Sequence, residues 1–141
     1  MPQTSKTTMR AVQAEGFGLD ALRLVERPAP RPGPGEILVR VRAATLNYRD
    51  LAILKGSYKP DLKPPFGPGS DACGEVVEVA PGVTRFKVGD RVVPTYTQGW
   101  IDGLPTPEQR ASRTLGVPRS AACCRTMLPS PRRTRFQPLR T

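Results

Sequence analysis

Residues 28–36 read PAPRPGPGE, with Pro28, Pro30, Pro32 and Pro34 in one short run. Proline has a fixed φ and no N–H, so this run can neither join a ladder nor continue a helix. It is the densest part of a pattern that extends through the chain, where 17 Pro and 13 Gly cut 141 residues into short pieces. Pieces of that length suit strands, typically about five or six residues, better than helices, which need more turns to hold together.

The pieces themselves alternate. Residues 9–14 (MRAVQA) and 21–27 (ALRLVER) read as two strands around a turn at Gly16 and Gly18. The clearest strand is EILVRVRAAT, residues 36–45. Ile37, Val39, Val41 and Ala43 share one face; Leu38, Arg40 and Arg42 share the other. A further strand is expected over residues 74–80, ended by Pro81-Gly82, and another over 91–95 after a tight turn at Gly89 and Asp90. The exception is NYRDLAILKGSY, residues 47–58, where Leu51, Ile53 and Leu54 have helical spacing and Gly56 supplies a stop. The fold class is therefore mainly β, a small partly open barrel with one short helix. A short helix from Pro107 is the one further candidate. Residues 1–8 are expected to be frayed, residues 9–116 to form the domain, and residues 117–141 to be a disordered basic tail.

Composition removes several kinds of chemistry. The chain has no His, which excludes His-based proton transfer and every His-containing metal site. Its three Cys are Cys73, Cys123 and Cys124, a poor disulfide framework. The N-terminus has no apolar core of a secretory signal, and a cytoplasmic location is expected. No stretch has the length of a membrane span. The net charge of +10 is unevenly spread: all 12 acidic residues precede residue 115, and residues 115–141 hold six Arg and no acid.

The order of motifs is specific. N-x-x-D at residues 47–50, G-S-Y at 56–58, G-S-D-x-x-G-x-V at 69–76 and V-x-x-F-K-V-G-D-R-V at 83–92 resemble the N-terminal domain of the medium-chain dehydrogenase/reductase family. That domain is a GroES-like partly open β barrel, and the resemblance spans about residues 9–116. The stretch TYTQGWIDGLPT with RTLG further resembles a zinc-independent branch, close to quinone-oxidoreductase-like and alcohol-dehydrogenase-like enzymes. Zinc alcohol dehydrogenases have Cys where this chain has Asn47, and His-Glu where it has Ser70-Asp71. An amide and a hydroxyl are not the donors that Zn²⁺ takes, so no zinc is expected.

The resemblance implies hydride transfer between NADP and a small carbonyl compound, quinone or alcohol, with homodimers common in the family. It places Asn47 and Tyr58 beside nicotinamide and substrate, with Tyr48 and Asp50 near the same cleft. An Asn or Tyr there could donate to a carbonyl oxygen that gains charge. The local reading stands beside this one. Asn47 and Asp50 make an ordinary helix cap, Tyr48 an ordinary half-buried core aromatic, and Tyr58 a structural residue. Gly69, Asp71, Gly74, Gly89 and Asp90 are expected as structural turn residues, with Asp71 bonding to backbone N–H groups of the elbow. Cys73 reads as a small buried hydrophobe.

No G-x-G-x-x-G follows a strand and opens a helix, so a dinucleotide-binding unit is not expected here, and the chain is expected to be inactive alone. The tail reads as out of frame from about residues 116–120. Written in GC-rich codons, residues 121–129 yield G-V-L-P-D-Y-A-A in a shifted frame, close to what the family carries there. The alternative is a small basic β-barrel module that contacts nucleic acid or another polyanion through its Arg residues. With one Phe and no Tyr or Trp, the tail offers little for base stacking.

Overall fold

The computed structural model describes residues 8–98, 100, 102–112, 114–115 and 127–131. In chain order they form β1 (Thr8–Ala14), a 3-10 turn (Leu19–Ala21), β2 (Leu22–Pro28), β3 (Glu36–Thr45), α1 (Tyr48–Leu54), β4 (Asp71–Val79), β5 (Arg91–Val92), α2 (Pro107–Ser112) and β6 (Met127–Pro131). β1 and β2 make an antiparallel hairpin, a sheet of their own. The other four strands form an antiparallel sheet in the order β5-β4-β3-β6. Both sheets are open, and the fold is mainly β as the alternation and the Pro/Gly punctuation require.

β3 organises the larger sheet. Its apolar face contributes Ile37 and Val39 to a core completed by Ala72 and Val76 of β4, Val92 of β5 and Leu115, with Phe86 and Tyr96 packed against it. Each large aliphatic side chain buried there contributes about 1.5–3 kcal/mol. Arg40 and Arg42 on the opposite face are exposed. Arg42 reaches across to Glu75 at 2.8 Å and holds that carboxyl below its ordinary 4.5, chiefly through the hydrogen bond. The β3–β4 register shifts between Leu38 and Val39 and between Val41 and Ala43. Gly74 lies opposite Val41, where a Cβ would stand 2.4 Å from the Arg40 carbonyl oxygen. No side chain fits that approach.

A second buried cluster joins the hairpin to the helix: Ala14, Ile53, Leu54 and Phe66, flanked by Leu22 and Leu62. Ala14 and Phe66 exchange backbone hydrogen bonds of 2.7 and 3.1 Å. The Phe17 ring packs on Phe66 with centroids 5.7 Å apart.

Three boundaries depart from the expected ones. β4 begins at Asp71 rather than Gly74, because Asp71, Ala72 and Cys73 pair with Thr45, Ala44 and Ala43. β5 stops at Val92 rather than residue 95; Pro94 follows and cannot donate to a ladder. The tail, expected to be disordered over residues 117–141, contains β6. Met127–Pro131 pairs with Glu36–Arg40 of β3. The physical reason lies in β3, whose second edge presents unpaired N–H and C=O groups that an extended segment can satisfy. Of the frayed segment expected at residues 1–8, Thr8 is the first residue of β1 and the rest lie outside the described residues. Cys123 and Cys124, and the rest of the tail expected to be disordered, lie outside them as well.

Candidate functional site at the start of the helix

Asn47 precedes α1 in extended conformation, and its carbonyl accepts the Asp50 N–H at 2.9 Å. Asp50 answers with its side chain. Oδ2 accepts the Asn47 N–H at 2.9 Å, the geometry of a capping box. Its other oxygen, Oδ1, accepts the Gly69 N–H at 2.9 Å. Gly69 has φ +96°, which favours glycine, and it forms the elbow that leads into β4. Asp50 is only 4% exposed, so one buried carboxylate fastens the helix to the elbow. At the other end of α1 the Gly18 N–H donates to the Leu54 carbonyl at 2.7 Å. The helix is held at both ends.

The Asn47 amide lies against Asp71, with Nδ2 donating to Oδ2 at 2.6 Å. The expected role of Asp71 is thus taken by another residue: Asp50 receives the elbow N–H, and Asp71 orients the Asn47 amide. Both groups are exposed. Tyr48 stands at 84% exposure, and Tyr58, after the Gly56 stop, at 51%. Asn47, Asp50, Gly69 and Asp71 are brought together directly. Gly74 belongs to β4, and Gly89 and Asp90 to the turn that leads into β5. The Gly89 N–H donates to Val76, and Asp90 Oδ2 accepts the Lys87 N–H at 3.0 Å.

Two residues were not singled out by the motifs. The Arg49 guanidinium lies over the Tyr58 ring at 5.3 Å and over the Tyr96 ring at 4.9 Å. Its Nε, Nη1 and Nη2 are buried and have no hydrogen-bond partner among the described residues. One signal was present in the sequence: a cation in the first turn of a helix opposes the macrodipole and calls for a reason. Tyr96 carried no such signal, being 47 residues away.

The donor set at this site is Asn47, Ser70 and Asp71, an amide, a buried hydroxyl and a single carboxylate. Among the described residues no group of three or more His, Cys, Asp or Glu could hold a metal ion. Nor is any helix among them long and apolar enough to cross a membrane.

The alcohol dehydrogenase GroES-like domain family matches residues 33–129. The chain belongs to that family. It is an N-terminal domain of the medium-chain dehydrogenase/reductase type, and its open sheets are the GroES-like fold. A zinc-type alcohol dehydrogenase-like protein of Schizosaccharomyces pombe is 44% identical over 96 residues, 67% of this chain and 28% of that protein. The chloroplastic quinone-oxidoreductase QR1 of Triphysaria versicolor is 46% identical over 89 residues, 60% of this chain and 27% of that protein. Among solved structures, a thermostable alcohol dehydrogenase from Pyrobaculum aerophilum superposes with TM-score 0.75 at 32% identity, covering 96% of this chain and 42% of that one. The chain thus spans little more than a quarter of the two relatives' lengths.

Proposed function

We propose that this chain is the substrate-side domain of a zinc-independent, NAD(P)H-dependent oxidoreductase that reduces a quinone, enone or other carbonyl compound, or oxidises an alcohol. The observation that carries the reading is the Asn47 amide, fixed between the helix cap and Asp71 at 2.6 Å. Its Nδ2 has two hydrogens, and Asp71 takes one. The second can donate to a carbonyl oxygen as charge develops there, and a donor fixed in advance needs no reorganisation at that moment. Tyr58, half exposed beside the same turn, offers a flat face and a hydroxyl donor. Asp50 acts one step back, holding Asn47 in place.

A nicotinamide cofactor, NADP by family expectation, would supply or accept the hydride. Asn47 and Tyr58 suit the carbonyl end of such chemistry. They do not supply a cradle for a dinucleotide's phosphates, and we assign that task to the portion of the relatives outside the matched region. By itself the chain would then be inactive. The donor chemistry of Asn47, Ser70 and Asp71 supports a zinc-independent site. The polyanion-binding alternative rests on tail Arg residues that all lie outside the described residues.

The test begins with the DNA beyond the codon for Thr114. The product of the frame that continues the family pattern is then assayed with NADPH against a quinone, an enal and an alcohol, with and without a chelator. Turnover that survives the chelator and falls with N47A supports the reading. Loss of activity on chelation, or no turnover with any of the three, refutes it.

A further inference from the structure

We infer that Arg49 is an anion-binding residue of this site and that its ligand is a carboxylate. The guanidinium stays charged at any pH a protein meets and carries five N–H donors in a planar fork. All three of its nitrogens are shielded from water without a hydrogen-bond partner among the described residues. The rings of Tyr58 and Tyr96, 5.3 and 4.9 Å from Cζ, stabilise the charge through their π faces but accept none of the N–H groups. A buried ion in this condition calls for a counter-ion.

Neither acid of this cluster bonds Arg49. Both Asp50 oxygens accept backbone N–H groups, from Asn47 and from Gly69, and Asp71 Oδ2 accepts the Asn47 amide. Among the described residues none supplies the acceptor, and on this inference a ligand does. The two rings lie 5.3 and 4.9 Å from the guanidinium carbon. A planar carboxylate matches the planar fork and can make two parallel bonds to it. Tyr58 is the half-exposed side of this cover; Tyr96 is backed by the hydrogen bond that its carbonyl accepts from Leu115 at 2.9 Å. Asn47 and Arg49 share the start of α1. Taken with the proposed function, on which this last step rests, the substrate is a carbonyl compound that also carries a carboxylate. Asn47 would meet its reacting oxygen and Arg49 its acid group.

The test is an NMR titration of the full 141-residue chain, following the Tyr58 and Tyr96 ring signals and the Arg49 Nε–H. Sodium acetate is added at constant ionic strength against sodium chloride, and inorganic phosphate forms a second arm. Saturable shifts with acetate, weaker ones with phosphate, a loss of affinity in R49K and no response in R49Q are expected. The inference is overturned if acetate shifts do not saturate, if R49Q responds like the parent, or if phosphate binds and acetate does not. Should either variant fail to fold, the parent titration decides alone. No cofactor is present, so a failure here leaves the hydride-transfer reading standing, and an inactive enzyme in the assay above leaves the acetate result standing.

Discussion

Arg49 and Asp50 are adjacent in sequence, and their surroundings are opposite. Asp50 is buried with each oxygen matched to a backbone N–H; Arg49 has its three nitrogens buried and none matched among the described residues. A satisfied buried charge is a structural joint, because its partners belong to the fold and removing it strands them. An unsatisfied buried charge costs stability, and departures of this kind are expected at functional or strained sites. One helical turn thus holds both a fastening and the cation to which we assign a ligand.

Four experiments test that contrast. The largest effect is expected from Asp50→Asn, which places an NH₂ against one of the two N–H donors that Asp50 accepts. A loss of about 2–4 kcal/mol in urea unfolding is expected; a variant as stable as the parent would end the idea of Asp50 as the joint. Asn47→Ala removes the cap side chain and its bond to Asp71, for a loss of about 1 kcal/mol. Arg49→Met should leave stability within about 1 kcal/mol of the parent or raise it, since an apolar chain of similar length replaces an unpaired ion. A loss above about 2 kcal/mol would make Arg49 a second joint and erase the contrast. The smallest effect is expected at the exposed Arg42–Glu75 pair. The depressed Glu75 pKa means its contribution is present above the ordinary 4.5 and is lost as pH falls through the folded value. Acid titrations of the parent and E75Q should differ only slightly in that window, and added salt should remove the difference.

Much of this was legible before the structure. The strand at residues 36–45 forms over the same residues, although Leu38 of the Arg face is buried and two register shifts break the alternation. The hairpin and the short helix follow from the same local signals, and the Asn47–Asp50 cap could be read from spacing alone. The start of β4 could not, since it is set by pairing with Thr45 rather than by its own residues. Pairing with a distant edge likewise makes a strand of Met127–Pro131, whose two prolines argue locally against one.

The sequence by itself determined the fold class, the family and the presence of a polar cluster at the helix start, because each depends on local periodicity or on an ordered series of motifs. Only the tertiary structure decided what each member of the cluster does. Asp50 turns inward because the elbow brings the Gly69 N–H to it. Asp71 meets Asn47 across the β3–β4 connection, and Arg49 is enclosed only because Tyr96 arrives from far along the chain. A side chain's partners are fixed by which backbones approach it, and that approach is a property of packing.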